Sequence, residues 1–142
     1  MHEEYIKDTF NQCNVGKLLG IKIIDLEEGR AKGILLIKKE HLNIFGNVHG
    51  GILFAFADHI GGACGNTLGK KAVLVESSIH YLKGASGEEK PLFAEAALTH
   101  RGKTIGRIDV NIFDEEDHVI ALIHQIFYIK DDAHTTATAE HI

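Results

Sequence analysis

A single long helix-forming stretch, framed by segments that alternate like strands, is the feature that most limits how this chain can fold. It follows the loop that begins at His41, starts at the run His49-Gly50-Gly51 and continues to Thr67 without a proline. Asp58 is its only acidic residue. A lone carboxylate among apolar and small residues indicates a functional site more often than a plain surface position.

A helical wheel at about 100° per residue separates two faces of this stretch. The face around Asp58 is nearly free of large side chains and contains Gly51, Phe54, Ala55, Gly61, Gly62 and Gly65. The opposite face has the pattern of a core helix and carries Ile52, Leu53, Phe56, Ile60, Ala63 and Cys64. Because a helical glycine costs about 1 kcal/mol against alanine, we expect a ligand or another backbone close to the Asp58 face. The alternative is an exposed Asp58 on an otherwise buried helix.

The rest of the chain predicts one N-terminal helix and six strands. Residues 5–19 have a loose helical stripe that stops at Gly20. A hairpin with strands 21–27 and 31–39 follows, and the segments after the central helix that alternate like strands are 72–82, 91–101, 104–114 and 118–129. Short polar turns indicate hairpins, so we predict an α+β fold in which the long helix covers one face of a six-stranded antiparallel sheet.

Length and composition fit one domain over residues 1–142, with a small, polar tail at 130–142 that is expected to fray. The net charge of −5 offers no general footprint for nucleic acid. No apolar run approaches the ~18–20 residues of a membrane span, and the N-terminus lacks a secretory pattern. We therefore predict a cytoplasmic protein with neither nucleic-acid nor membrane partners. One helix cannot cover six strands fully, which favours a dimer or larger assembly.

Three short motifs have a spacing that is typical of a known family. They are Asn43-x-x-Gly46-x-x-His49-Gly50-Gly51, then Ala57-Asp58, then Ile79-His80-Tyr81-Leu82-Lys83. With them the chain resembles the hotdog-fold acyl-CoA thioesterases, and is most similar to the phenylacetyl-CoA thioesterase (PaaI-like) branch. The resemblance implies the hotdog fold, a long central helix wrapped by a six-stranded antiparallel sheet, assembled as a homodimer or homotetramer.

The resemblance also implies a reaction and roles for single residues. Members of the family hydrolyse acyl-CoA thioesters without a metal or bound cofactor, and coenzyme A enters as part of the substrate. Asp58 matches the carboxylate that activates water or attacks the thioester, and Gly50 matches the backbone N–H that polarises the carbonyl. Asn43 and His49 match residues that position the thioester and the loop. The strand hydroxyl that helps hold the water in some relatives aligns with Leu74, so that helper is absent.

Other residues complete the predicted substrate site. Gly51 and Phe54 share the face of Asp58, and basic side chains for the phosphates of coenzyme A are Lys83, Arg101 and Lys103. The alternative for these three is that they are solvated charges of turns. The phenylalanines of the chain allow aromatic or medium aliphatic acyl groups alike.

The two predicted halves of the site lie on different sides of the helix. His49 and Asp58 are nine residues apart, which is about 180° around an ideal helix. We therefore expect Asn43 and Gly50 from one chain to act with Asp58 from another.

Two other functions fit the same fold. A non-catalytic acyl-CoA-binding module is the first, although it has no use for the Asp58 carboxylate. A hotdog dehydratase or hydratase is the second, but it would use a histidine with a glutamate, and the central helix contains no glutamate. The ten histidines form no pair with metal-ligand spacing, so we predict no metal.

Overall fold

The structure is a computed structural model that describes residues 2–133. Its helices are α1 His2–Asn11, α2 Asn14–Leu19 and α3 Gly50–Asn66, with a 3-10 turn at Lys39–His41. Its strands are β1 Ile21–Glu27, β2 Arg30–Leu36, β3 Lys70–Tyr81, β4 Pro91–Arg101, β5 Ile105–Asp114 and β6 Val119–Ala133. The predicted tail at 130–142 overlaps the end of β6, and its remainder lies outside the described residues.

The six strands form one sheet in the order β1-β2-β4-β5-β6-β3, and every neighbouring pair is antiparallel. Helix α3 packs on one face of this sheet through a fully buried stripe that includes Phe56, Ile60 and Cys64. The predicted α+β hotdog architecture, with one long helix and six antiparallel strands, is therefore confirmed. Strands β1 and β3 are the two edges of the sheet.

The N-terminal segment forms two helices, so the prediction of one helix over residues 5–19 was wrong. Cys13 is extended, with φ −61° and ψ 133°, and this breaks the helix between α1 and α2. The break allows Ile6 of α1 and Gly16 of α2 to be buried at different places. The predicted stop is correct, because Gly20 takes the left-handed conformation at φ +78°.

The glycines of α3 make room for side chains of the same chain. A Cβ on Gly62 would lie 3.4 Å from the Phe10 ring, and one on Gly65 would lie 3.2 Å from Ala72. At Gly61 a Cβ would collide with Oε1 of Gln125. The expectation of a ligand or another backbone at the Asp58 face is thus wrong for Gly61 and Gly65, which serve close packing inside the fold. Gly62 borders a cavity beside Asp58, so the expectation stays open there.

Gln125 is a buried polar residue in the middle of β6, with 1% of its surface exposed. Its Nε2 donates a hydrogen bond of 3.4 Å to the carbonyl of Ala57, the residue before Asp58. This contact fixes α3 to the sheet at the turn that carries the carboxylate.

Within residues 2–133 no helix is long and apolar enough to cross a membrane.

Candidate active site

The first turn of α3 presents a free backbone donor. The Nδ1 atom of His49 accepts the N–H of Gly51 at 2.9 Å and so caps the helix. This bond places the ring proton of neutral His49 on Nε2. The N–H of Gly50 has no acceptor among the described residues. A hydrogen-bond donor is therefore left at the positive end of the helix dipole.

The loop before α3 is held by the side chain of Asn43. Its Oδ1 accepts the N–H groups of Phe45 and Asn47 at 2.9 and 3.1 Å, and the backbone N–H of Asn43 donates to the Asn47 carbonyl at 2.7 Å. Gly46 closes the turn with φ +82°. Because the amide oxygen of Asn43 is occupied in this way, its Nδ2 is the atom left to donate to a ligand.

A second histidine anchors this loop to the N-terminal part of the fold. His41 is buried, accepts the N–H of Lys38 at Nδ1 (2.9 Å) and donates from Nε2 to the Leu19 carbonyl (2.8 Å). Its own carbonyl accepts the N–H of His49 at 2.8 Å. The position of His49, and with it the start of α3, is therefore fixed by the end of α2.

Tyr81 supports the start of α3 from the end of β3. Its hydroxyl donates to the carbonyl of Gly50 at 3.0 Å, and a Cβ on Gly50 would lie 3.0 Å from the ring. Only a glycine fits at residue 50 without moving the tyrosine. We did not predict this role for Tyr81, although it lies in one of the three motifs.

A cavity of about 520 Å³ opens beside this helix start. We call it the loop cavity, and its wall includes Asn43, His49, Gly50, Gly51, Tyr81 and Lys83. Five of the nine residues predicted for the site are therefore brought together here, and Lys83 is the basic side chain among them.

Asp58 lies in a different cavity, of about 320 Å³, which we call the Asp58 cavity. Its walls come from α1, α3, β3 and β6, and Leu74 is part of the β3 wall. The position aligned with the family's hydroxyl is thus close to the carboxylate, but it carries an apolar side chain. Asp58 reaches solvent, yet desolvation by the surrounding protein raises the pKa of its carboxyl.

Three predicted residues line neither cavity. Phe54 is half-buried on α3, Arg101 ends β4, and Lys103 lies exposed in the turn to β5. Their roles in substrate binding stay predictions.

The neighbours of Asp58 in sequence and the buried thiol have structural roles. His59 is buried and packs edge-on against Phe10 at 5.4 Å between ring centroids, and burial lowers its pKa. Burial raises the pKa of the Cys64 thiol to about 12, so it is not a nucleophile at neutral pH. The buried thiol agrees with the predicted place of Cys64 on the core face. In the described part of the chain no group of three or more metal-ligating side chains could hold an ion.

A single chain keeps the two halves of the site apart. Gly50 and Asp58 are eight residues apart in one helix, which separates them by about 12 Å along its axis. The loop cavity and the Asp58 cavity have no lining residue in common. A thioester carbonyl cannot lie within about 3 Å of both groups in the same chain.

Comparison with known proteins gives the family. The sequence profile of the thioesterase superfamily matches residues 45–121. A putative esterase of Archaeoglobus fulgidus is 35% identical over 126 residues, which are 88% of this chain and 81% of that protein. The acyl-coenzyme A thioesterase PaaI of Escherichia coli is 35% identical over 107 residues, 75% of each chain.

Solved structures agree with the sequence matches. The E. coli PaaI protein from the phenylacetic acid degradation operon superimposes with a TM-score of 0.87 at 27% identity, covering 94% of this chain and 98% of that one. A hypothetical thioesterase of Streptococcus pneumoniae, solved with coenzyme A, has a TM-score of 0.76 at 27% identity over 80% and 88%. The chain belongs to the thioesterase superfamily and is an enzyme with the hotdog fold. The PaaI-like character that the motifs indicated is confirmed.

Proposed function

We propose that this protein hydrolyses acyl-CoA thioesters to a free acid and coenzyme A. The similarity to an acyl-coenzyme A thioesterase and to a thioesterase solved with coenzyme A supports this substrate class. The observation that carries the proposal is the free Gly50 N–H at the start of α3, which the Asp58 carboxylate of a partner chain would complement.

The helix start stabilises the charge that hydrolysis creates. Attack on the thioester carbonyl places negative charge on its oxygen. The Gly50 N–H donates a hydrogen bond to this oxygen, and the positive end of the α3 dipole stabilises its charge. His49, whose Nδ1 caps the helix, keeps Nε2–H as a donor. Asn43 keeps its amide N–H groups for the thioester. Removal of one oxyanion donor usually costs about 10²–10³ in rate.

Asp58 supplies the base. Its carboxylate takes a proton from water as the water oxygen bonds to the carbonyl carbon. The carbon–sulfur bond then breaks, and the proton on Asp58 goes to the departing thiolate. A thiolate leaves easily, so the reaction needs neither a strong acid nor a metal or bound cofactor.

The long, charged part of coenzyme A is proposed to lie outside the two cavities, with basic side chains meeting its phosphates. Lys83 lines the loop cavity, and this position supports such a role for it. Arg101 and Lys103 are proposed to contact the phosphates from the β4–β5 turn of a neighbouring chain. The predicted cytoplasmic location fits a substrate of this kind.

The structure favours this function over the alternatives. No glutamate lines the loop cavity or the Asp58 cavity, and Nδ1 of His49 is used in the helix cap. A dehydratase or hydratase that pairs a histidine with a glutamate therefore lacks its second group here. A binding module gains nothing from the raised pKa of Asp58, which is typical of functional carboxylates.

We further propose that two chains form each site, with Asn43 and Gly50 from one chain and Asp58 from its partner. The 12-residue strand β3 is an edge of the sheet and exposes Val75 to 62%. A long edge strand with exposed apolar side chains is normally covered in the native assembly. Ile44 and Phe45, 92% and 81% exposed at the tip of the loop, would also be covered by a partner.

We expect a dimer or tetramer at micromolar concentration, measured by light scattering coupled to size exclusion. Val75→Lys should weaken the assembly, because it places a charge at the middle of the β3 edge. Leu18→Lys is the matched control, since Leu18 is 82% exposed on α2, away from that edge. A stable wild-type monomer would contradict both the assembly and the shared site.

The function itself is tested by a screen of acyl-CoA esters with different chain lengths and rings, in which thiol release is measured. We expect hydrolysis at rates well above background for at least one class. Tight acyl-CoA binding without turnover would instead support the binding module.

A further inference from the structure

We propose that the Asp58 cavity takes the acyl group and that α1, through Thr9 and Phe10, sets the largest acyl group the enzyme accepts. This inference rests on the proposed function and adds the class of acyl group to it.

The cavity has the chemistry of an acyl site. Asp58 stands in its wall, so a thioester whose carbonyl meets this carboxylate must place its acyl group nearby. Ile6, Phe10, Leu74 and Phe127 give the cavity an apolar wall, and Asn66 and Lys71 are among its polar lining residues. The phosphates and the adenine of coenzyme A are too polar and too large for such a space.

Helix α1 is a fixed wall. Ile6 is buried to 1% exposure, and the side chain of Asn11 makes two hydrogen bonds with the backbone of Ile23, at 2.8 and 3.3 Å. The Phe10 ring packs on His59 and reaches into the space left by Gly62. The wall therefore exists before substrate arrives.

The volume limits the acyl group. The cavity, of about 320 Å³, lies at the small end of the range of about 300–1,000 Å³ that is typical of ligand pockets. The enzyme therefore prefers compact acyl groups to long chains.

The test compares kcat/KM for butanoyl-, hexanoyl-, octanoyl- and dodecanoyl-CoA in variants of the full chain. The side chain in Thr9→Leu is larger by one non-hydrogen atom and narrows the cavity, so the octanoyl-to-butanoyl ratio should fall about tenfold. Thr9→Val is the matched control, because it removes the hydroxyl and keeps the shape, and it should leave the ratio unchanged. Phe10→Val enlarges the cavity and should raise the dodecanoyl-to-butanoyl ratio.

Melting temperatures are measured to check that each variant is folded. If Phe10→Val does not fold, the result for Thr9→Leu alone decides the inference. Leu18→Ala, on the exposed face of α2, should keep the wild-type ratios. Wild-type ratios in an active, folded Thr9→Leu would overturn this inference and leave the proposed function intact. A wild-type enzyme that hydrolyses none of these and no other acyl-CoA ester would overturn both.

Discussion

Replacing Asp58 with asparagine is expected to lower kcat for acyl-CoA hydrolysis by at least about 100-fold, since a general base contributes about 10²–10⁴ to the rate. Asparagine has the same shape and cannot accept the proton of water. The exposed Asp8 on α1 gives the matched control, and Asp8→Asn should keep the wild-type rate. Acyl-CoA affinity, measured calorimetrically, should change little in Asp58→Asn.

The pH dependence follows from the raised pKa of Asp58. The base must be ionised, so kcat/KM falls as pH drops through that pKa. Because desolvation raises it, this acid limb lies above the ordinary aspartate value of about 3.9. In Asp58→Asn the residual kcat/KM should not show this fall at low pH.

As pH rises through the pKa of Asp58, the stability of the fold should fall while the activity rises. A carboxyl whose pKa is raised in the folded state binds its proton more tightly there than in the unfolded chain. The free energy of unfolding therefore decreases as pH rises from the unfolded pKa to the folded one, and the loss persists above that window. Asp58→Asn removes this loss, so its melting temperature at neutral pH should equal or exceed that of the wild type.

A residual rate above about one tenth of wild type in Asp58→Asn would contradict the role as base and favour the binding module. A melting temperature well below wild type would show that the carboxylate stabilises the fold, contrary to the direction of its pKa.

Features set by neighbouring residues could be predicted from the sequence. The start of α3 follows from the His49 cap and the two glycines after it. The stop at Gly20 follows because glycine readily takes the left-handed conformation that ends a helix. Strand β4, predicted at 91–101, has those bounds because proline opens it and the turn at Gly102 closes it. The core face of α3 follows from its helical period, apart from Ile52, which is only half-buried.

Features that depend on contacts between distant segments could not be predicted. No pattern in the sequence pairs Gly61 with Gln125, which are brought together only when β6 packs under α3. The wall that α1 gives to the Asp58 cavity has the same origin, since the break at Cys13 decides how α1 lies on α3. Arg101 and Lys103 have the right charge for phosphates, yet charge alone does not place them near either cavity.

The largest gain of activity is expected from combining two inactive variants. Asn43→Asp keeps the oxygen that holds the loop and replaces the amide donors by a charge that repels the developing oxyanion. Asp58→Asn removes the base. Two chains with different affinity tags are co-expressed, and the mixed dimers are isolated through both tags. If each site combines Asn43 of one chain with Asp58 of its partner, a mixed dimer has one intact site and one doubly altered site. It should therefore have about half the wild-type activity.

A second mixed dimer gives the reverse result and serves as the control. A wild-type chain paired with a chain that carries both Asn43→Asp and Asp58→Asn has one changed group in each shared site, so it should be nearly inactive. If Asn43 and Asp58 act within one chain, this second dimer keeps half the activity and the first has none. The two dimers contain the same number of changed residues, so their difference reports the geometry alone. Half activity in the second dimer, with none in the first, would show that the roughly 12 Å between Gly50 and Asp58 is closed by movement within a single chain.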